Sequence, residues 1–291
     1  MTILILGAAG NLGTAFSGIL AKQEDVSVVA WDKTELDVTD QGILVKKISD
    51  VKPNIIINTV AYNDVDACEK DEAAQEIARR LNVDFIKSLG EIALANDATL
   101  IHYSSDYVFK GDNKEGYKED DLVEPQNFYG QTKADGEQEL IKLTGKGLKW
   151  YLIRTSKLFG PKGSSLAAKP NFFEIMLKLA KQGKELKAVT NETGSFTYTP
   201  DLAQASWDLI IDNCSFGIYH LINSGQASWY DAIVYFLNKI GLKVDIKKVL
   251  SQDFPRPAKR PEYSLLINTK RPVLRSWQEA IDDYISKGII K

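Results

Sequence analysis

Cysteine is scarce in this sequence of 291 residues, where only Cys68 and Cys214 are present. Two cysteines are too few for a disulfide framework or for a zinc site built mainly from thiolates. We therefore expect two reduced, partly buried thiols and a cytoplasmic protein, because the cytosol keeps such thiols reduced.

Long hydrophobic runs and a strong charge imbalance are also missing. No run of about 20 apolar residues occurs, so we expect no membrane-spanning helix. The chain starts directly with a strand-like run, without the segments of a secretory signal. The formal net charge of −3 gives no reason to expect nucleic acid or an anionic membrane as partner. No carboxylate cluster demands a metal, so Mg²⁺ is possible but not required, and we assign no metal ligand.

The N-terminal residues combine a strand, a glycine-rich turn and a helix. Ile3 to Leu6 form a short, branched apolar run, as expected of a strand covered on both faces. The sequence GAAGNLG follows at 7–13, and a helical pattern covers 14–22. Glycines at this spacing let the backbone approach a pyrophosphate at the start of a helix. We therefore predict a dinucleotide site formed by Gly7, Gly10, Asn11, Leu12 and Gly13.

The second strand pattern, over 26–31, ends at Asp32, about twenty residues after the glycines. An acidic side chain at this distance typically binds the hydroxyl groups of the adenosine ribose. The alternative for Asp32 is a solvated loop carboxylate. Lys33 could meet a 2′-phosphate instead, so both NADH and NADPH remain open. Leu36, Asp37, Val38 and Thr39 are expected beside the adenine, and the small residues at 59–62 would let the cofactor pass close.

Further strand patterns cover 55–58, 99–103, 149–154 and about 217–223, with helical segments between them. Alternation of this kind predicts an α/β fold of the Rossmann type, a doubly wound parallel sheet. A smaller, discontinuous C-terminal region would bind the substrate. We predict a dinucleotide-binding domain over 1–156, with the sheet rejoined by about 186–223, and a substrate-binding region over 157–185 and 224–291.

The most informative stretch is the sequence NFYGQTK at 127–133, which places Tyr129 and Lys133 on one face of a helix. A nearby ammonium lowers the pKa of a phenol, so we expect Tyr129 to exchange a proton near neutral pH. An amphipathic helix with a chance tyrosine and lysine is the alternative. Ser104 and Ser105 end the fourth strand, at the edge where open α/β sheets bind ligands. Their alternative role is to cap the loop.

A basic, proline-rich segment lies near the C-terminus, from Pro255 to Pro261, and contains Arg256, Lys259 and Arg260. Such a segment suits a lid over an anionic ligand such as a nucleotide diphosphate. Composition alone supports a solvated linker nearly as well.

These motifs together resemble the extended short-chain dehydrogenases/reductases and, more narrowly, the dTDP-4-dehydrorhamnose reductase family. The narrower resemblance covers nearly the whole chain and depends on SSDYVFKG at 104–111, GIYHLINSG at 217–225 and AKRP at 258–261. It implies reduction of dTDP-4-dehydro-L-rhamnose to dTDP-L-rhamnose by NADPH or NADH. It also implies a nucleotide-sugar substrate and a monomer or homodimer.

The resemblance assigns roles residue by residue. Ser105, Tyr129 and Lys133 would be the catalytic set, and Ala61, Tyr62, Asn63 and Tyr103 would lie at the cofactor. The residues facing the sugar nucleotide would be Val65, Ser105, Asp106, Tyr107, Lys157, Asn171, Arg256 and Arg260.

Two positions depart from the family pattern. Ser105 stands where the family often has threonine, a change that keeps the hydroxyl. Lys157 stands where the family often has tryptophan, and a lysine cannot make the same apolar contact. Lys157 could bond a sugar hydroxyl or indicate a related deoxyhexose. The alternatives are another nucleotide-sugar 4-ketoreductase or epimerase, and a non-catalytic regulatory subunit of the methionine adenosyltransferase type.

Overall fold

A computed structural model of the protein describes residues 1–165 and 168–288. The five long N-terminal strands are β1 (Thr2–Leu6), β2 (Ser27–Trp31), β3 (Ile55–Asn58), β4 (Thr99–Ser105) and β5 (Trp150–Thr155). The later strands are β6 (Leu158–Phe159), β7 (Leu186–Val189), β8 (Thr193–Gly194), β9 (Thr197–Tyr198), β10 (Gly217–His220), β11 (Asn223–Ser224), β12 (Ala227–Ser228), β13 (Ile246–Val249), β14 (Tyr263–Ser264) and β15 (Leu274–Ser276).

The helices alternate with the long strands and then dominate the C-terminal part. They are α1 (Asn11–Leu20), α2 (Gln41–Val51), α3 (Ala67–Lys70), α4 (Glu72–Arg79), α5 (Phe85–Ala95), α6 (Phe128–Thr144), α7 (Phe172–Lys181), α8 (Thr199–Ile211), α9 (Trp229–Lys239) and α10 (Trp277–Ser286). A π-helical turn over Arg80–Asp84 joins α4 to α5. Asp106–Val108 and Ser251–Asp253 form single 3₁₀ turns.

Six parallel strands form the central sheet, in the order β2-β1-β3-β4-β5-β10. β1 and β3 are runs of leucine and isoleucine buried on both faces of the sheet, as their sequence predicts. The strand order reverses between β1 and β3, so the crevice for a ligand opens beyond their carboxyl ends. The predicted doubly wound α/β fold is confirmed.

Helices cover both faces of this sheet. On one face, α1 and α8 pack through Phe16 and Leu202 against Ile3 and Ile153. On the other face, α2, α5 and α6 bury apolar side chains against the opposite surface of the same strands. Apolar side chains on both faces of the sheet thus meet helices. The parallel pairing of β1, β3 and β4 brings their carboxyl ends to one common edge.

A second core lies outside the sheet and is rich in aromatic residues. Phe173 of α7, Phe236 of α9 and Trp277 of α10 pack around it, and β7 pairs with β13 beside them. Within the stretch 186–223 that was predicted to rejoin the sheet, only β10 does so by pairing with β5. β7 lies in the second core instead, because its partner strand comes from the C-terminal region. Within the described ranges, none of the helices is long and apolar enough to cross a membrane.

Candidate active site

The glycine loop between β1 and α1 has the geometry that a dinucleotide requires. Gly7 has a φ of +76°, a conformation that favours glycine. A Cβ atom on Gly13 would lie 2.2 Å from the carbonyl oxygen of Gly7, so only glycine lets α1 pack this close to the loop. Gly10 precedes α1 and offers no capping side chain, which leaves N–H groups at the helix start for an anion. These residues fit a bound pyrophosphate.

The side chains of Asn11 and Leu12 are used within the fold. The Oδ1 atom of Asn11 accepts a hydrogen bond of 2.8 Å from the backbone N–H of Gly163, and its Nδ2 donates to the carbonyl of Lys169 at 3.3 Å. The Leu12 side chain is buried in the sheet core. Any contact of these two residues with the cofactor is therefore left to their backbone N–H groups.

A cavity of about 350 Å³ lies beyond the carboxyl end of β2. Its lining includes three of the predicted cofactor residues, Lys33, Asp37 and Val38. The carboxylate of Asp37 accepts hydrogen bonds from the hydroxyl and backbone N–H of Thr39, and these bonds lower its pKa. Asp32 contributes nothing to this lining; its backbone N–H donates to Glu35 at 2.9 Å.

Leu36, Thr39 and Val60, which belong to segments expected near the cofactor, also line the cavity. The remaining lining residues come from a distant part of the chain and were not predicted: Ile77, Arg80 and Leu81. Nothing in the local sequence marks α4 and the π-helical turn as neighbours of β2.

The segment after β3 is held by Asn82, another residue that sequence analysis missed. Its buried amide accepts a hydrogen bond from the Tyr62 N–H and donates to the Tyr62 carbonyl, each at 3.0 Å. It also donates to the hydroxyl of Thr132 on α6 at 3.0 Å. Asn82 thus ties the predicted cofactor segment, which includes the exposed Ala61 and Asn63, to the helix that carries the catalytic candidates.

The three catalytic candidates meet at the carboxyl end of β4. The Ser105 hydroxyl lies beside the phenol of Tyr129 and acts to lower its pKa. The Nζ atom of Lys133 donates to the carbonyl oxygen of Tyr103 at 2.6 Å. The Tyr103 hydroxyl itself points to Ser206 of α8, at 2.7 Å, so Tyr103 contributes its backbone to this site.

Burial controls the protonation of this group, and the expected sign for Tyr129 is wrong. Burial raises the pKa of Tyr129, and the neighbouring Ser105 hydroxyl only partly opposes this. Lys133 does not offset the effect, because burial lowers its own pKa to about 8 while Glu137 opposes. Tyr129 is consequently a protonated phenol at neutral pH, the form that can donate a proton.

Asp106, predicted to face the sugar, instead positions Ser105. Its Oδ1 atom accepts from the Ser105 hydroxyl at 2.9 Å, and its Oδ2 atom accepts from the Ser156 hydroxyl at 2.6 Å. Burial raises the pKa of this carboxyl group, against the bonds from the serines. Both oxygens lie within the fold, so Asp106 acts on a ligand through Ser105.

An aromatic and apolar wall surrounds the phenol. The Tyr107 ring meets the Tyr129 ring edge-on, with 5.9 Å between centroids. Cys68 is buried in the same cluster, and the half-buried Val65 packs against it. Burial raises the pKa of the Cys68 thiol to about 11, so this cysteine packs the wall as an unreactive thiol.

Lys157 occupies an aromatic pocket beside the site. Its Nζ atom lies 5.2 Å from the ring centre of Phe196 and 5.1 Å from that of Trp229. The same atom donates to the Glu192 carbonyl at 3.3 Å. Burial lowers the pKa of Lys157 to about 8, with Asp106 and Glu192 opposing. The Lys157 ammonium group thus lies over two aromatic rings in a buried pocket.

The basic segment is anchored to the chain, and its arginines already have acidic partners. Arg256 forms an ion pair with the buried Glu192. Arg260 pairs with Asp66 at 2.9 Å and lies over the Tyr107 ring. Asn127, the N-cap of α6, donates to the Lys259 carbonyl at 2.8 Å. The segment therefore contacts the site as a fixed strap.

Asn171 has a structural role in place of the predicted contact with substrate. Its Oδ1 caps α7 by accepting from the Glu174 N–H at 3.1 Å. Its Nδ2 donates to the carbonyl of Gly160 at 3.0 Å and to the hydroxyl of Tyr284 at 2.8 Å. All polar atoms of this buried amide are used, so none is left for a sugar.

A buried ion pair holds the catalytic helix on the sheet. Arg154 of β5 binds Glu137 of α6 through two hydrogen bonds, of 3.0 and 2.7 Å. Both side chains are almost fully buried. Among the described residues, no group of three or more histidine, cysteine or acidic side chains could hold a metal ion.

Known proteins are similar to this chain over nearly its whole length. Residues 1–289 match the family described as RmlD substrate binding domain. The chain is 36% identical to the spore coat polysaccharide biosynthesis protein SpsK of Bacillus subtilis, over 98% of this chain and 97% of that protein. It is also 36% identical to the dTDP-4-dehydrorhamnose reductase of Aggregatibacter actinomycetemcomitans, over 92% of this chain and 91% of that protein. A crystal structure of dTDP-4-dehydrorhamnose reductase from Bacillus anthracis, in complex with NADP, superposes with a TM-score of 0.90 at 30% identity. That superposition covers 98% of this chain and 99% of the other.

Proposed function

The chain belongs to the RmlD substrate binding domain family, and we propose that it is an NAD(P)H-dependent reductase that converts dTDP-4-dehydro-L-rhamnose to dTDP-L-rhamnose. The observation that carries this proposal is that Ser105 lies beside Tyr129, at the edge of the sheet that also holds the glycine loop. The reductases among its relatives support the reaction, and the NADP bound to the Bacillus anthracis protein supports the cofactor. The name of the Bacillus subtilis relative supports a role in polysaccharide biosynthesis.

Ser105 and Tyr129 would act on the keto oxygen of the sugar. When bound, the nicotinamide would supply a hydride to the ketone carbon, which would leave negative charge on the keto oxygen. The Ser105 hydroxyl, whose proton is donated to Asp106 in this structure, would turn that proton to the keto oxygen and stabilise the charge, while Tyr129 would give up its proton to the same oxygen. Burial keeps Tyr129 protonated until that moment.

The cofactor would lie along the glycine loop and into the cavity beyond β2. Backbone N–H groups at the start of α1 would bind its pyrophosphate, and Asp37 and Val38 would lie beside its adenosine. Asp32 and Lys33 remain proposed contacts of the ribose. Lys133 has donors left after its bond to Tyr103 and would bind the nicotinamide ribose.

The substrate would be bound by Val65, Tyr107, Lys157, Arg256 and Arg260 around the Ser105 hydroxyl. The two arginines are paired with Glu192 and Asp66, so contact with a diphosphate would have to compete with those carboxylates. Lys157 favours a second candidate of the same class, 4-ketoreduction of a related dTDP-linked deoxyhexose. Its ammonium group has three N–H donors and a positive charge for a sugar hydroxyl, whereas tryptophan in the usual position has a single neutral indole N–H.

The test is to follow nicotinamide absorbance while dTDP-4-dehydrorhamnose is supplied with NADPH or NADH in turn. We expect oxidation of the cofactor and formation of dTDP-rhamnose. Turnover of a related 4-keto sugar nucleotide in place of this substrate would favour the second candidate. Absence of turnover together with co-purification of a partner enzyme would favour the regulatory subunit. A cytoplasmic location and a monomeric or homodimeric state remain parts of the proposal.

A further inference from the structure

The central sheet ends in two edge strands, β10 and β2, and charged side chains cover the outer edge of β10. The Nζ atom of Lys270 donates to the outward-facing carbonyl of Ile218 at 3.0 Å. The carboxylate of Glu119 accepts from the outward-facing N–H of His220 at 3.4 Å. These side chains occupy backbone groups that a further strand would otherwise bind.

The outer edge of β2 has no such cover. The Trp31 carbonyl accepts from the Gly7 N–H at 2.9 Å, so the backbone groups of Trp31 face β1. Because these groups alternate in direction along a strand, the N–H and C=O groups of Val28 and Ala30 face away from the sheet. Over residues 1–165 and 168–288, no backbone or side-chain group forms a hydrogen bond with them.

The composition of β2 is also that of an unprotected edge. Its sequence is SVVAW, without charge or proline, and it is only partly buried, whereas β3 and β5 are fully buried. Ile43 of α2, which is 49% exposed, lies one helical turn before Lys47, and Lys47 contacts the Trp31 ring. An apolar edge with free backbone groups is a template for another strand.

We propose that β2 pairs with β2 of a second copy of this chain, antiparallel about a two-fold axis perpendicular to the sheet. The strand is complementary to itself when Val28 lies opposite Ala30 of the second copy. Both residues turn their N–H and C=O groups outward, so each of the two Val28–Ala30 pairs exchanges two hydrogen bonds. All the free backbone groups of the edge would then have a partner.

The side chains fit the same register. Val29 meets Val29 of the second copy on the face of the sheet that α2 covers, and Val28 meets Ala30 on the other face. Such apolar cross-strand pairs stabilise a sheet, whereas like charges directly opposite one another destabilise it. Over 24–34 no two like charges come directly opposite, and Asp25 comes opposite Lys33 of the second copy. Because all these pairs come from one sequence, a second copy is the partner that the edge fits.

Antiparallel pairing points the carboxyl ends of the two sheets in opposite directions. The catalytic candidates at the end of β4 would therefore lie at opposite ends of the dimer, and neither site would need a residue of the other copy. The inference is thus independent of the proposed function.

The experiment is sedimentation equilibrium of the full-length protein from about 1 to about 100 µM, because association depends on concentration. Hydrogen exchange of the Val28 and Ala30 amides is measured over the same range. The variant Ala30→Pro removes one outward N–H and leaves the bonds to β1 in place. Ala30→Thr is the matched control, because threonine keeps the N–H and favours a strand. Ala30 is exposed, so neither variant removes a side chain from the core.

We expect the unaltered protein and Ala30→Thr to approach twice the monomer mass as the concentration rises. Exchange of the Val28 and Ala30 amides should slow in parallel. Ala30→Pro should weaken the dimer at least about tenfold, since it removes one backbone hydrogen bond from each half of the interface.

A monomer over the whole range would overturn the inference and would leave the edge of β2 free for a strand of a different protein. A dimer that Ala30→Pro does not weaken would overturn it as well, because the interface would then lie elsewhere. Exchange at Val28 and Ala30 that stays equally fast at all concentrations would overturn it even if Ala30→Pro fails to fold. None of these outcomes affects the proposed function, which the absorbance assay tests separately.

Discussion

Replacing Tyr129 with phenylalanine removes one oxygen atom and keeps the ring. The ring packs edge-on against Tyr107 and beside Cys68, and phenylalanine preserves both contacts. Ser105 keeps its bond to Asp106, so its hydroxyl is not left without a partner. The variant therefore separates the chemistry of the phenol from the structure of its surroundings.

The two consequences of this change differ greatly in size. Loss of a general acid should lower turnover by roughly 10²–10⁴-fold, which is about 3–5 kcal/mol in the activation barrier. Removal of the buried phenol oxygen should lower the free energy of unfolding by at most about 0.5–1.5 kcal/mol, the contribution of one hydrogen bond. In a chain of this length the melting temperature would fall by no more than roughly 5 °C.

The assay compares turnover, cofactor affinity and melting temperature for Tyr129→Phe and the control Tyr151→Phe. Tyr151 is also a buried phenol, but its hydroxyl donates to the Cys214 carbonyl at 2.7 Å, in the core of the sheet domain. We expect similar small losses of stability in both variants and a loss of turnover in Tyr129→Phe alone. Turnover above about a tenth of the unaltered value in Tyr129→Phe would refute the role of Tyr129 as proton donor.

Three further predictions follow from contacts around the site. Gly13→Ala should abolish cofactor binding, because its Cβ atom would lie 2.2 Å from the loop backbone. Gly18→Ala is the control in the same helix: its Cβ atom would have nothing within 4 Å, so the free energy of unfolding should stay unchanged or rise by about 0.5–1 kcal/mol. Glu137→Gln should lower the free energy of unfolding in urea by about 3–5 kcal/mol, because it leaves the buried guanidinium of Arg154 unpaired. The control Glu139→Gln removes an exposed ion pair of α6 and should lower the free energy of unfolding by at most about 1 kcal/mol. Lys133→Met should lose turnover yet gain stability at pH 7. Burial lowers the pKa of Lys133 from 10.5 to about 8, so keeping this lysine charged costs up to roughly 3 kcal/mol of folding free energy in the unaltered protein.

The stability gained by Lys133→Met should depend on pH, in a direction set by the pKa shift of Lys133. Folding lowers this pKa, so the unfolded chain holds more protons between pH 8 and 10.5. The burial penalty is therefore complete below pH 8 and disappears toward pH 10.5, where the stability advantage of Lys133→Met should vanish. An advantage that stayed constant across this range would contradict the argument. Equal cofactor affinity of Gly13→Ala and Gly18→Ala would contradict the prediction for the glycines. Equal losses of stability in Glu137→Gln and Glu139→Gln would contradict the prediction for the glutamates.

Local sequence patterns predicted the parts of the site that depend on neighbours along the chain. A Rossmann-type sheet was predicted from the apolar runs of β1 and β3 and from the glycines at 7–13, and the structure confirms it. The spacing of Tyr129 and Lys133 placed both on one helix, α6, and the serines fell at the end of β4. These features follow from backbone geometry within a few residues, so periodicity and turn chemistry are enough to predict them.

Contacts between distant segments could not be predicted in this way. Asn82 clamps Tyr62, and Arg80 reaches the cavity beyond β2, because a π-helical turn brings them there from another helix. The amide of Asn171 is used up by Tyr284, more than a hundred residues further along the chain.

The sequence by itself determined which chemical groups are present and in what order the strands deliver them to one edge of the sheet. Only the tertiary structure decided what those groups do to one another. Tyr129 stays protonated and Lys133 titrates near pH 8 because burial removes water from both, and the extent of burial depends on the packing of the whole chain.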